Sequence, residues 1–207
     1  MIFLSSDSQI AYYHAPKNGS RTVLGYLALT KEPNLYRDHP EYFDPVYDEV
    51  YKPLRDRVEK IGRHHYEPRL VPVVENPIRF VVKRDPVKRF VSGYTNRVLH
   101  HNRLGGMKPD ITEFIKRFDY FYSKYSDVET HFRPQVSFFG LDKSSYTHIF
   151  DTSQMHLVKE LFEDTYKLKL PDLQLQQGGN KQKPDLTKEQ EEWIRDKYKA
   201  DYDAGWC

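Results

Sequence analysis

Seven consecutive residues near the start of the chain combine the side chains and backbone freedom that bind anions. They are Pro16, Lys17, Asn18, Gly19, Ser20, Arg21 and Thr22. The lysine and arginine carry charge, the hydroxyl groups can donate hydrogen bonds, and the glycine lets the backbone approach a ligand closely. A loop that leads into a helix N-terminus also presents free N–H groups and the positive end of the helix dipole. The segment therefore predicts an anion-binding loop.

This loop differs from the phosphate-binding loop of ATPases and GTPases. That loop requires Gly, four residues and then Gly-Lys-Ser/Thr, so its lysine follows the glycine. Here Lys17 precedes Gly19, and the loop is shorter. Because motifs this short also occur by chance, an ordinary strand–turn–helix connection is the alternative interpretation of these residues.

A second cluster of polar residues follows the clearest candidate strand, residues 78–83. Arg84 lies at the end of this strand, and Asp85 and Pro86 suit the cap and first position of a helix. Ser92 lies two turns into that helix. An arginine and a hydroxyl group placed in this way can hold one phosphate together.

Two further basic residues of this helix, Lys88 and Arg89, could contribute to anion binding or could simply belong to a solvated face of the helix. Long cationic side chains commonly keep their charged ends in water on a helix surface, with no ligand involved. The solvated interpretation is preferred for Lys88.

The elements that must position these residues alternate between strand and helix. Strands are predicted over residues 10–14, 78–83 and 146–150. Helices are predicted from residue 20, over 86–98, over 111–122, over 153–166 and from 188, with a weaker candidate over 46–61. This alternation predicts an α/β fold with a parallel sheet. Ligands bind at the carboxyl ends of the strands in such folds, and both polar clusters lie there.

Composition bounds the remaining possibilities. A length of 207 residues suits a single domain over 1–207, and a net charge of +2 gives no indication of nucleic-acid binding. Cys207 has no partner for an internal disulfide. No leader-like N-terminus and no apolar run of about 18 residues is present, so we expect no membrane insertion and a cytoplasmic location. No pattern indicates an oligomeric state.

Together the two clusters resemble the sulfotransferase superfamily that uses 3'-phosphoadenosine-5'-phosphosulfate (PAPS). The matching patterns are Pro-Lys-x-Gly-Ser-x-Thr and, later, Arg-Asp-Pro-x-x-Arg-x-x-Ser-x-Tyr. Residues 131–135, His-Phe-Arg-Pro-Gln, resemble an element of the carbohydrate sulfotransferase branch (sulfotransferase family 2-like). Residues 198–202 resemble the terminal Tyr-x-x-Asp-Tyr pattern. The resemblance covers nearly the whole chain and is loose over 31–77.

The resemblance implies a three-layer, P-loop-like α/β fold, with helices flanking a central parallel sheet, and transfer of a sulfuryl group from PAPS to an acceptor hydroxyl. By position, residues 16–22 would hold the 5'-phosphosulfate, with Lys17 at the bridging oxygen of the leaving group. Arg84 and Ser92 would hold the 3'-phosphate, and Lys181 is a weaker candidate for the adenosine phosphates. The acceptor implied is a carbohydrate, and another hydroxyl-bearing acceptor, such as a small alcohol, a phenol or a lipid headgroup, is the alternative.

The acceptor hydroxyl needs a general base, and histidine titrates in the suitable range. Related enzymes carry a catalytic His or Glu between the two loops, where His64 and His65 lie. We prefer His65, with His64 second and Glu67 or Glu75 less favoured, while a surface histidine pair is the alternative. Side chains of adjacent residues diverge in regular structure, so this pair predicts no metal site.

Two other functions stay open at this point. A nucleotide kinase would require ATP and Mg²⁺, and the order of Lys17 and Gly19 argues against it. A non-catalytic protein that binds a nucleotide or polyanion would use the same basic residues without turnover.

Overall fold

The computed structural model of the protein describes residues 1–43, 54, 56–61, 77–173 and 183–207. Two compact units divide the chain. The first comprises Met1–Lys83 and Phe138–Gly179, and the second comprises Arg84–Ser137 and Asn180–Cys207. A single domain over 1–207 stays a prediction.

The described chain consists of short strands and helices joined by loops. The strands are β1 (Ile2–Leu4), β2 (Ile10–Tyr13), β3 (Glu59–Ile61), β4 (Ile78–Lys83) and β5 (His148–Asp151). The α-helices are α1 (Ser20–Lys31), α2 (Leu35–Asp38), α3 (Pro86–Gly93), α4 (Ile111–Lys116), α5 (Phe118–Lys124), α6 (Ser126–Phe132), α7 (Val136–Phe139), α8 (Met155–Tyr166), α9 (Lys188–Lys197) and α10 (Lys199–Asp203). A π-helical segment, Tyr94–His100, continues α3, and 3₁₀ turns cover Pro40–Phe43, Lys143–Ser145 and Thr152–Gln154.

The sheet lies in the first unit and has the strand order β3-β1-β2-β4-β5. Strand β4 pairs in parallel with β2 on one side and with β5 on the other, whereas β1 is antiparallel to both of its neighbours. The carboxyl ends of β2, β4 and β5 therefore lie at the same edge. The predicted α/β fold with helices flanking a central sheet is confirmed, and β2, β4 and β5 are parallel as expected, whereas the β1 and β3 side of the sheet is antiparallel.

Helices α1 and α8 cover the sheet of the first unit with apolar side chains. Val23 and Leu27 of α1 are buried at helical spacing. Tyr12 of β2 stacks on Phe80 of β4 with ring centroids 5.1 Å apart, and Phe80 meets Phe162 of α8 at 6.1 Å. Burying each such side chain contributes about 1.5–3 kcal/mol, so these contacts fix the strands that carry the loops.

The second unit starts at the predicted cap of α3. The Asp85 side chain accepts a hydrogen bond from the Lys88 backbone N–H at 2.9 Å, and Pro86 occupies the first turn. The expected apolar face of the helix is buried. Its Phe90 ring lies 5.1–6.0 Å from four other rings, those of Phe132, Phe118, Phe114 and Trp193. This aromatic core holds α3 in place.

The helix predicted over 111–122 is two helices, α4 and α5, which meet at Arg117. Phe114, Phe118 and Phe121 are buried on one side, as the spacing indicates. Arg117 itself leaves the helical region, with φ −108° and ψ 19°. The apolar spacing continues through this residue, so the pattern alone does not reveal the break.

The boundaries of two other elements and the identity of a third differ from expectation. Strand β5 begins at His148 rather than 146, and α8 begins at Met155 after a 3₁₀ turn with a capping box between Asp151 and Gln154. The helix over 46–61 falls mostly outside the described residues, and its end was predicted wrongly. Residues 59–61 pair with β1 as a strand, because sheet pairing overrides a weak helical pattern.

Candidate functional site

The predicted anion-binding loop leaves the carboxyl end of β2 and enters α1 at Ser20. Gly19 caps this helix in the left-handed conformation with φ 72°, and Lys17 has the same φ of 72°. Left-handed backbone is unfavourable for a residue with a Cβ atom, so Lys17 is held there by its surroundings. Two left-handed residues within three positions turn the loop tightly ahead of the N-terminus of α1.

Asn18 ties this loop to the neighbouring strand. Its side chain is 0% exposed, and Nδ2 donates a hydrogen bond of 2.8 Å to the carbonyl oxygen of Val82 in β4. Burying an amide is unfavourable unless it is hydrogen-bonded, so this contact fixes the middle of the loop at the edge of the sheet. The Asn18 side-chain amide therefore holds the loop in position.

The other residues of the loop divide by exposure. Lys17, Gly19, Ser20 and Arg21 are partly exposed. Pro16 and Thr22 are buried, as Asn18 is. The Ser20 hydroxyl donates to the Ala15 carbonyl at 3.1 Å, across the turn. The accessible part of the loop thus contains both of its cations, its glycine and one hydroxyl group, which suits an anion.

Gly19 gives a direct test of this loop conformation. We expect Gly19→Ala to lower the free energy of unfolding by about 1–2 kcal/mol from left-handed strain, plus the cost of moving Met155. A Cβ atom at position 19 would lie 3.1 Å from the Met155 sulfur. Gly105→Ala is the matched control, since φ is +63° there and the Cβ atom would make ordinary contacts with the Tyr125 side chain, at 3.5 Å from the hydroxyl and 3.8 Å from Cε1. Urea denaturation that shows equal losses in the two variants would contradict the tight fit at Gly19.

Arg84 and Ser92, the predicted 3'-phosphate ligands, lie at the start of the second unit and on α3. Both residues are partly exposed. The backbone of Arg84 is bound by the side chain of Gln135, whose Oε1 accepts from the Arg84 N–H at 3.0 Å and whose Nε2 donates to the Arg84 carbonyl at 2.9 Å. The main chain from which the Arg84 guanidinium extends is therefore fixed.

Arg89 does not lie on a solvated face. It is 1% exposed, and its guanidinium donates to the carbonyl oxygens of Arg133 and His131 at 2.8 and 3.3 Å. Burial lowers the pKa of Arg89, against the opposing attraction of Tyr198 and Asp201. This arginine holds the turn that follows α6, whereas Lys88 is exposed.

His131 is anchored within its own helix. Its Nδ1 donates to the Asp127 carbonyl oxygen at 2.8 Å and lies 3.5 Å from the carboxylate. Arg97 binds the same carboxylate through Nε at 2.7 Å and through a second, shorter contact. Burial acts to raise the pKa of Asp127. The Arg97 hydrogen bond and the charge of His131 outweigh this effect, so the pKa lies below its usual value. The contacts favour a structural role for His131.

Several predicted site residues lie outside the described residues. They are His64 and His65, the two candidate bases, the alternatives Glu67 and Glu75, and Lys181. The structure places residues 16–22 together on one loop of the first unit. In the second unit, it places Arg84 two residues before α3 and Ser92 within that helix.

Two residues within the matching motifs, Gln135 and Asp201, had no role predicted from the sequence. Both are 0% exposed, and the Asp201 carboxylate accepts from the N–H groups of Gln135 and Val136, each at 2.9 Å. Burial raises the pKa of Asp201, although these hydrogen bonds oppose the shift. The available signal was the presence of a polar residue within each of two short motifs. The sequence does not reveal their partners, because Arg84 lies 51 positions from Gln135 and Gln135 lies 66 positions from Asp201.

Within the described residues, no group of three or more His, Cys, Asp or Glu side chains is arranged to hold a metal ion. Among the helices formed by those residues, none has both the length and the apolar character needed to cross a bilayer.

A family model described as Sulfotransferase family matches residues 1–203. Nearly the whole chain takes part in this match, so the family resemblance of the two loops is confirmed. Comparisons with curated proteins and with solved structures give no match.

Proposed function

The chain belongs to the sulfotransferase family, and we propose that it moves a sulfuryl group from PAPS to a hydroxyl group of a carbohydrate. The observation that carries the proposal is the loop of residues 16–22, with left-handed Lys17 and Gly19 ahead of the N-terminus of α1. This loop brings two cationic side chains, Lys17 and Arg21, to the N-terminus of α1, where the helix dipole is positive, and that combination suits the 5'-phosphosulfate of the donor.

The reaction is an in-line displacement at sulfur. The acceptor oxygen forms a bond to sulfur while the bond from sulfur to the 5'-phosphate oxygen breaks, and adenosine 3',5'-bisphosphate (PAP) leaves. As in phosphoryl transfer, the protein contributes positioning and stabilisation of charge on the leaving group. We assign the leaving phosphate oxygen to Lys17 and the remaining phosphosulfate oxygens to Ser20, Arg21 and the backbone of Gly19, which are accessible parts of the loop.

The 3'-phosphate of the donor is assigned to Arg84 and Ser92. The guanidinium offers paired N–H donors to phosphate, and a hydroxyl group adds one more. Lys181 is a weaker proposal for the adenosine phosphates. With Lys17, Arg21 and Arg84 available to neutralise the donor, the mechanism requires no metal ion.

The acceptor proton is assigned to a histidine, His65 first and His64 second. A neutral imidazole can take the proton as the new bond to sulfur forms. The proton then leaves with the histidine, while the sulfated acceptor and PAP carry the remaining charge.

A carbohydrate acceptor is supported by the surface chemistry of α5. The exposed ring of Tyr120 lies under the guanidinium of Arg117 and the ammonium of Lys124, each 5.1 Å from its centroid. The two cations lie close together over the ring and can bind carboxylate or sulfate substituents of a sugar chain. This combination favours an anionic glycan over a small phenol.

The test is turnover with PAPS labelled with ³⁵S against a panel of acceptors. The panel contains desulfated anionic polysaccharides, neutral polysaccharides, a simple phenol and a simple alcohol. We expect the label to appear in a polysaccharide, with one molecule of PAP released for each sulfuryl group transferred. Label in the phenol alone would overturn the acceptor class, and PAP binding without turnover on any acceptor would favour the non-catalytic alternative. Consumption of ATP with Mg²⁺ instead of PAPS would favour the kinase alternative.

A further inference from the structure

The carboxamide of Gln135 binds both backbone groups of Arg84 at once. Oε1 accepts from the Arg84 N–H at 3.0 Å, and Nε2 donates to the Arg84 carbonyl at 2.9 Å. Nε2 also donates to the carbonyl of Trp206 at 2.7 Å. The pairing between β4 and β5 ends with Lys83 and Asp151, so Arg84 is the first residue of its segment beyond the paired strands. Gln135 thus gives Arg84 the pair of hydrogen bonds that a neighbouring strand would give it.

Gln135 is itself held by a buried carboxylate. Both oxygens of Asp201 accept backbone N–H groups, Oδ2 from Gln135 and Oδ1 from Val136, each at 2.9 Å. The Asp201 carbonyl accepts from the Trp206 N–H at 2.7 Å. Hydrogen bonds to a charged acceptor are stronger than neutral ones, so Asp201 fixes the peptide from which the Gln135 side chain extends.

We propose that Gln135 is a positioning residue for recognition of the 3'-phosphate of PAPS, and that it acts by fixing the main chain of Arg84. This inference rests on the proposed function. An arginine side chain is long and loses much rotamer freedom on binding, so its ligand is held well only when its Cα–Cβ direction is set in advance. Gln135 sets that direction without contacting the nucleotide.

A purely structural role for Gln135 makes a different prediction. If Gln135 only stabilised the second unit, its loss would weaken all nucleotides equally. If it positions Arg84, the loss falls on ligands that carry a 3'-phosphate. PAP and AMP differ only in that phosphate, so the ratio of their affinities separates the two roles.

The variant that tests this is Gln135→Glu, which keeps the shape and the acceptor for the Arg84 N–H but removes the Nε2 donor. We expect PAP affinity to fall by about tenfold, the lower end of the effect seen when a metal ligand loses its outer hydrogen-bond partner, while AMP affinity is nearly unchanged. Calorimetric titration of both nucleotides gives the ratio. Equal losses for PAP and AMP, or no loss for either, would overturn the inference.

Tyr198→Phe is the matched control. It removes another buried hydrogen bond of the same unit, from the Tyr198 hydroxyl to the Phe132 carbonyl at 2.6 Å, and it leaves the Gln135 carboxamide unchanged. We expect the control to lose stability but keep the wild-type ratio of PAP to AMP affinity. A shift in the control as large as that in Gln135→Glu would also overturn the inference.

Asp201→Asn keeps the test open if Gln135→Glu fails to fold. It leaves one oxygen for the two N–H groups, so we expect the same selective loss of PAP affinity with a smaller size, and an unchanged ratio would overturn the inference. Wild-type protein that binds no PAP at all would instead overturn the proposed function. A wild type that binds PAP, with variants of unchanged ratio, would overturn only the role of Gln135.

Discussion

Replacing Lys17 with alanine lowers the turnover number for sulfuryl transfer by about a thousandfold, the size seen when one preorganised donor to a developing charge is removed. The ammonium of Lys17 is the group assigned to the leaving phosphate, where charge appears only as the S–O bond breaks. Alanine meets the same left-handed strain at φ 72°, so the loop conformation has no new backbone cost. The turnover number is measured with ³⁵S-labelled PAPS at saturating donor and acceptor.

Lys88→Ala is the control for Lys17→Ala. Lys88 is an exposed lysine at the start of α3, so its loss changes the net charge equally without touching the loop. We expect its turnover number to stay close to that of the wild type. Wild-type turnover in Lys17→Ala, or an equal loss in both variants, would contradict the role of Lys17 at the leaving group.

Replacing Trp206 with alanine lowers the free energy of unfolding by about 3–5 kcal/mol, the usual cost of removing a buried aromatic side chain. The Trp206 side chain is 0% exposed, and its backbone N–H and carbonyl bind Asp201 and Gln135, both at 2.7 Å. The cavity would leave this backbone poorly held. Guanidinium denaturation followed by circular dichroism measures the loss.

Cys207→Ser is the control for Trp206→Ala, because the neighbouring side chain at position 207 is exposed. We expect its unfolding free energy to stay close to that of the wild type. A loss below about 1 kcal/mol in Trp206→Ala would show that the end of the chain is not part of the core of the second unit.

The elements that position both loops could be predicted because local patterns determine them. The spacing of Val23 and Leu27 indicates α1, and the Asp85 cap with Pro86 marks the start of α3. Strands β1 and β3 were missed, because each is only three residues long and too short to show an alternating pattern. Their existence depends on sheet register, which local spacing does not encode.

The sequence could also predict which segments contain the site. It could not predict which of their polar residues face a ligand and which support the backbone. Arg89 and Asn18 look like ligands, because both carry donors beside an anion motif. The structure buries both, and their donors bind backbone carbonyls instead. The contact between Gln135 and Arg84 joins residues 51 positions apart, so no local pattern predicts it.

The most direct test of the central claim is calorimetric titration of PAP into the wild-type protein and Arg84→Ala, with ATP and Mg²⁺ as the comparison. We expect PAP to bind the wild type more tightly than ATP. Affinity for PAP should fall by about tenfold to a hundredfold in Arg84→Ala, because the 3'-phosphate loses charged hydrogen bonds. A wild-type protein that binds ATP with Mg²⁺ more tightly than PAP, or does not bind PAP, would contradict the assignment of a PAPS-dependent sulfotransferase.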